Sequence, residues 1–339
     1  MSQRFIDFLY KYEGKIIPLS REMNLTYFNA SVSGKPEEYQ KASELQIKQN
    51  RVFANKEDFK LLKEIKASGE VTNPVLAREL ELIYNLFAGN QFDEELMERI
   101  VTLSTKVEEK FATYRATIND VEYSDNDIDD KLKDSTDSAE LKMLWSASKQ
   151  IGKEVAEDVK KLVYMRNEAA QSLGYKNYHT MSLLLSEQSP EELDQLFDNL
   201  DELTRESFTL LKAEIDNYLS ARFGIQKSEL MPWHYQDKFF QQGPKIYSVD
   251  LDKYFKEKDI VKITKNYFNG LQLNIDDLVE KSDLFEKEGK YQHAYCIDID
   301  REGDARVLCN VKSNYRWMGT MLHEYGHAVY EKFLSPNLP

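Results

Sequence analysis

Residues 318–339 read MGTMLHEYGHAVYEKFLSPNLP, and the folding of this stretch decides how the chain before it must be arranged. Met318, Met321, Leu322, Tyr325, Ala328 and Val329 recur at the intervals of a helix with one buried side. Ser313 or Asn314 stands where a helix cap belongs, and Pro336 marks the end of the repeat. His323 and His327 are four residues apart, so on a helix both imidazoles lie on one face and reach a single ion. With Glu324 they form the H-E-x-x-H pattern. Neutral imidazole suits zinc, which accepts a tetrahedral site with one position left for water. Glu324, next to His323, is placed to take a proton from that water. A catalytic zinc site uses three protein ligands, and the motif supplies two.

The segment just upstream, YQHAYCIDIDREGDARVLCNV (residues 291–311), has a different period. It alternates, is rich in aromatic and β-branched residues, and carries turn residues at its centre. Two antiparallel strands joined by a turn at Arg301–Asp304 are predicted. His293 is expected on the first strand, thirty residues before His323. A strand edge beside a zinc helix can pair with an extended peptide through its backbone, while His293 bonds a substrate carbonyl. The competing reading is a hydrogen-bonded histidine packed under the helix.

Helical patterns dominate elsewhere. Residues 35–53 have Pro36 near their start, residues 72–89 run from Thr-Asn-Pro to a glycine, and residues 93–118 read as a long amphipathic helix. Residues 135–174 read as one helix of many turns closed by Gly174. Residues 189–224 open with Ser189 as cap, Pro190 in the first turn and Glu192 three residues after the cap. A polar break at 119–134 is the candidate boundary, dividing a helical N-terminal region, 1–133, from residues 134–339.

Composition narrows the function. Among 339 residues, 59 are acidic and 45 basic, a net charge of −14 that repels phosphate backbones and anionic membranes. Neither nucleic acid nor a membrane is an expected partner. The N-terminus lacks the apolar core of a secretory signal, and no apolar run is long enough to span a bilayer. The two cysteines, Cys296 and Cys309, flank the hairpin turn and could pair, but buried reduced thiols in a cytoplasmic protein are expected.

Other candidates are weaker. Asp125, Asp127 and Asp129 alternate like the start of a calcium loop, but Asp130 stands where glycine is needed and Thr136 where the bidentate glutamate belongs. A solvated acidic loop is the expectation there. His179 reads as structural, and His234, among aromatics, as structural or as lining a cleft.

The quoted motifs carry a resemblance. LHEYGHAVY resembles the active-site helix of the zinc oligopeptidases that include peptidyl-dipeptidase A (angiotensin-converting enzyme), with thimet-type oligopeptidases as more distant relatives. The His-Ala pair thirty residues upstream and the later Asp-x-Arg are similar to the strand pair of that family. The likeness covers about residues 134–339. It implies a mostly α fold, a large helical ellipsoid with a deep substrate channel and a small antiparallel strand pair next to the zinc helix. Residues 1–133 would form a lid-like region, and 134–339 the first part of the catalytic domain.

By the same resemblance His323 and His327 are Zn2+ ligands, Glu324 is the general base and acid, and His293 with the Ala294 backbone holds short peptide substrates. The family's third ligand is a glutamate about two dozen residues beyond the second histidine, which lies past Pro339. The expectation is therefore an N-terminal part of a longer cytoplasmic zinc metallopeptidase, inactive alone and partnered by its C-terminal remainder. A non-catalytic helical peptide-binding module and a zinc hydrolase of non-peptide substrates are the alternatives.

Overall fold

A computed structural model describes residues 3–335, so Pro336 falls outside the described residues. In chain order come α1 (Gln3–Ser33), α2 (Pro36–Phe53), α3 (Lys56–Ser68), α4 (Pro74–Ala88) and α5 (Glu94–Thr113). A short strand pair, β1 (Ala116–Ile118) and β2 (Val121–Tyr123), leads to α6 (Asp125–Asp134), α7 (Ser138–Ser148), α8 (Ile151–Ser172), α9 (Tyr178–Leu185) and α10 (Pro190–Phe223). Then follow α11 (Ile260–Gly270), α12 (Asp276–Lys281), β3 (Tyr295–Asp298), β4 (Ala305–Leu308) and α13 (Tyr315–Phe333). The mostly α expectation holds.

Two compact units divide the chain, each discontinuous in sequence. One comprises the described residues of Met1–Thr113, Asp158–Glu187 and Leu251–Pro339; the other comprises Tyr114–Glu157 and Gln188–Asp250. The polar stretch 119–134 lies within the second unit.

Within that second unit, two sequence expectations change. Residues 125–134 form a helix rather than a solvated acidic loop. Ser124 caps α6 in a reciprocal capping box with Asp127. Asp125 and Asp129, one turn apart, share the buried Lys238 ammonium at 2.8 and 3.1 Å. The single helix expected over 135–174 is broken at Lys149–Gln150 into α7 and α8. There the Lys149 Nζ donates to the Lys238 carbonyl at 2.6 Å, a long-range bond that no helical repeat reveals. β1 takes the last residues of the helix expected over 93–118, because Asn119 and Asp120 adopt positive φ and turn the chain back on itself. Ser189 caps α10 through the Glu192 N–H, and Gly224 closes it at φ 64°, as its sequence requires.

The first unit is built around the β3–β4 hairpin. Side chains alternate across a strand, so each face can serve a different core. Ala305, Val307 and Cys309 face the cluster formed with Ile260, Leu278, Met321 and Tyr325 of the helices α11, α12 and α13. Leu308, with Tyr295 and Ile297, instead packs against Phe28 of α1. The hairpin is thus a two-stranded wedge between α1 and α13.

Its turn and edges are pinned by specific bonds. Asp298 Oδ1 accepts from the Asp300 and Arg301 backbone N–H groups, Asp300 Oδ1 from Glu302 and Asp304. Arg301 and Gly303 take positive φ within the turn. The far edge of β4 is closed by residues 282–284, where the Asp283 N–H donates to Val307 O and the Cys309 N–H to Asp283 O, both at 2.9 Å. The far edge of β3 meets no strand among the described residues; at its end Asn24 of α1 donates to the carbonyls of Asp298 and Ile299, and midway the Cys296 N–H donates to the Glu324 carboxylate.

Two further contacts fix the approach to β3. Lys290 is fully buried, with its ammonium donating to Asp283 Oδ1, to the carbonyls of Asp283 and Phe285, and to that of Cys309. Burial lowers its pKa, and Asp283 opposes that shift. Beside it, Gly34 at the end of α1 meets Gly289 so closely that a Cβ at position 34 would lie 2.1 Å from the Gly289 oxygen.

Candidate metal and peptide site

Asn314 rather than Ser313 caps α13, accepting from the Trp317 N–H at 2.8 Å. Ser313 instead donates its hydroxyl to the Lys258 carbonyl. Trp317, Met318, Met321, Tyr325, Ala328 and Val329 form the buried side of the helix. Near the other end, Lys332 donates to Asp277 at 2.6 Å and to the Asn274 carbonyl. Capped, half-sunk in a core and tied at its last turn, the helix presents its remaining face in a fixed orientation.

That face carries the motif. His323 and His327 are exposed, and their Nε2 atoms stand 3.2 Å apart with the rings nearly perpendicular, at 86°. Two nitrogens each ~2.0–2.1 Å from one tetrahedral ion would be separated by roughly 3.3–3.4 Å. The observed separation is close to that value. Among the described residues no group of three or more His, Cys, Asp or Glu side chains converges to hold a metal.

Glu324 is buried, 8% exposed, between the helix and β3. Burial raises its pKa, while the two imidazoles and a hydrogen bond from the Cys296 backbone N–H pull it down. The carboxylate thus has a donor on β3 and lies one residue from His323. Cys296 and Cys309 are free thiols. Burial pushes the Cys296 thiol up to about 12, with Glu324, Glu331 and Asp298 adding to the shift.

A cleft of about 280 Å³ runs between β3 and α13, lined by Ala294, Cys296 and Asp298 on one side and Glu324, His327 and Glu331 on the other. Ala294 is therefore brought to the motif. His293 is placed differently from its expectation: it precedes β3 by two residues and does not lie on the strand. Asn310 accounts for this, since its amide donates to the Tyr291 and Gln292 carbonyls and replaces the ladder there. The His293 ring stacks on Phe111 of α5 at 5.6 Å and 13°, and meets Tyr291 edge-on at 5.6 Å.

His234 lies in the second unit, 2% exposed, with both ring nitrogens engaged. Nδ1 accepts from the Met231 N–H, which leaves Nε2 to donate to Ser138 Oγ at 2.8 Å. It is a satisfied core histidine, and burial lowers its pKa. His179 sits exposed in the first turn of α9. Residue-by-residue reading of the sequence missed Glu331, although its seven-residue spacing from Glu324 puts it on the same helix face. It could not have found the Cys296 N–H, whose direction depends on strand register.

No curated protein matches the sequence. The family described as angiotensin-converting enzyme, peptidase family M2, matches residues 2–335. That span includes the N-terminal helices as well as the hairpin and the H-E-x-x-H helix, and the chain belongs to the angiotensin-converting enzyme family of peptidases.

Proposed function

We propose that this chain carries the base and two metal ligands of a zinc peptidase acting on short oligopeptides. The observation that supports it most is the 3.2 Å approach of the His323 and His327 nitrogens beside the buried Glu324. Zinc, when bound, supplies Lewis acidity toward a water and a peptide carbonyl. The chain's own groups do the rest. An extended peptide adds to the open edge of β3 beside Ala294, which aligns its backbone across the cleft. Glu324 removes a proton from the attacking water as its oxygen bonds to the carbonyl carbon. The same carboxyl then returns that proton to the amine nitrogen as the C–N bond breaks. His293, steadied by Phe111, donates to a substrate carbonyl.

Two histidines leave the ligand set one short. The third ligand comes from polypeptide outside the described residues, and the C-terminal remainder of the enzyme is the proposed source. The shortage also favours a second reading, a helical module that binds peptides without cleaving them. Zinc analysis and an assay with quenched peptides, with and without a separately produced C-terminal piece, discriminate the two. Stoichiometric zinc and peptide cleavage on addition of that piece support the peptidase. Peptide binding with neither zinc nor cleavage supports the second reading.

A further inference from the structure

We propose that Glu331 forms a subsite for a cationic side chain, so that the preferred substrates are peptides with a lysine or arginine near the scissile bond. This deepens the peptidase reading and rests on the same cleft. Glu331 lies seven residues after Glu324, close to two full turns, and four after His327. All three side chains therefore line one face, and all three border the cleft. No lysine or arginine lines that cleft among the described residues. The adjacent Lys332 is turned away and held by Asp277 and the Asn274 carbonyl. Glu331 is half-buried, and a carboxylate partly removed from water favours a cation that can pair with it.

Position along the cleft sets where that cation belongs. Seven helical residues advance roughly 10 Å along the axis, and an extended peptide advances about 3.3 Å per residue. A peptide lying along β3 with its reacting carbonyl at Glu324 brings a side chain two or three residues away to Glu331. Asp298, on the β3 side of the cleft, adds negative potential, although its Oδ1 is engaged in the hairpin turn. The net charge of −14 steers basic peptides toward the protein as a whole.

The test uses hexapeptides in which lysine, norleucine or glutamate is moved through each position. Binding is read by fluorescence anisotropy on the full chain without metal, and cleavage separately on the zinc-loaded protein with its C-terminal piece. At one position lysine should bind about tenfold more tightly than norleucine. Glu331→Gln should bring that ratio close to one, and Glu331→Lys should make the glutamate peptide the preferred one. These are ratios within one variant, so a loss of folded protein cannot imitate them. A ratio near one at every position in the wild type, its survival in Glu331→Gln, or no peptide binding at all would each overturn the proposal. Cleavage without lysine preference refutes the subsite and leaves the peptidase reading standing. Lysine-dependent binding with no cleavage does the opposite.

Discussion

His323 and His327 hold their Nε2 atoms 3.2 Å apart on an exposed helix face whose opposite side is sunk in the core. Asn314 and Lys332 fix the two ends of that helix. Replacing either histidine by alanine should weaken zinc binding at least about tenfold, or about 1.4 kcal/mol, and leave the thermal transition of the metal-free chain in place. Equilibrium dialysis with zinc and calorimetry measure the two effects. Equal zinc affinity in His327→Ala would mean that the ion is held elsewhere.

On the proposed reading, Glu324 serves catalysis rather than metal binding. Its carboxylate accepts from the Cys296 N–H and does not join the imidazole pair. Glu324→Gln should therefore retain zinc while peptide turnover by the zinc-loaded enzyme falls at least ~10²-fold. Activity within a few-fold of wild type would identify another group as the base.

His293 has two roles to distinguish. The ring stacks on Phe111, which is a packing role, and it adjoins Ala294 in the cleft. If it also bonds a substrate carbonyl, His293→Ala lowers kcat/KM by about 0.5–1.5 kcal/mol beyond any change in stability. His293→Phe keeps the stack and removes the donor. Recovery of stability without recovery of kcat/KM is the expected outcome, and full kinetic recovery would reduce His293 to a packing residue.

The helix ends and the motif were legible because their signals are local. Ser189, Asn73 and Gly224 do in the structure what their types and positions announce, and the hairpin follows from alternation around DREGD. What escaped depends on contacts between distant residues. At the break the Lys149 side chain bonds the distant Lys238 carbonyl, and the Lys238 ammonium pairs with Asp125 and Asp129 of α6. The displacement of His293 from the strand needs Asn310, and the donor to Glu324 needs the β3 register. Side-chain type showed which chemistry was available at the site, while its geometry came from the packing of the hairpin between α1 and α13.

Acid should weaken the hairpin through Asp304. Burial alone would raise its carboxyl, but Arg306, through two hydrogen bonds of 3.1 and 3.0 Å, and Lys281 outweigh burial and hold it below the ordinary range. A folded-state pKa below the unfolded one means the folded form binds protons less readily. Its contribution to stability is full above the unfolded value and is lost as pH falls through the folded one. Asp304→Asn should therefore cost on the order of 1 kcal/mol near neutral pH, with the gap from wild type closing in acid below about pH 4. Urea titrations across pH measure this, and a gap that stays constant would show that Asp304 acts by shape rather than charge.

The tightest sequence requirement behind the site lies outside it, at Gly34. This residue has φ 68°, where a side chain strains the backbone, and a Cβ there would collide with the Gly289 carbonyl at 2.1 Å. Gly289 itself has φ 74°, and its own Cβ would lie 2.9 Å from the Ser33 oxygen. Neither side of the contact can yield by rotating a side chain, since the clashing atoms belong to the backbone. The segment that would be pushed away runs directly into Lys290 and Tyr291, whose N–H donates to the Ser31 carbonyl at 2.8 Å, and from there into Ala294 and β3. Gly69 provides the control: its φ is 65°, yet nothing lies within 4 Å of a Cβ there. Gly69→Ala should cost only about 1–2 kcal/mol, the conformational strain, and Gly34→Ala about 1–3 kcal/mol more through overpacking. Gly34→Ala should also weaken peptide binding in the cleft, whereas Gly69→Ala should not. Equal losses of stability in the two variants, by urea unfolding, would show that α1 and the 285–292 segment can move apart freely and that this contact does not hold the cleft in place.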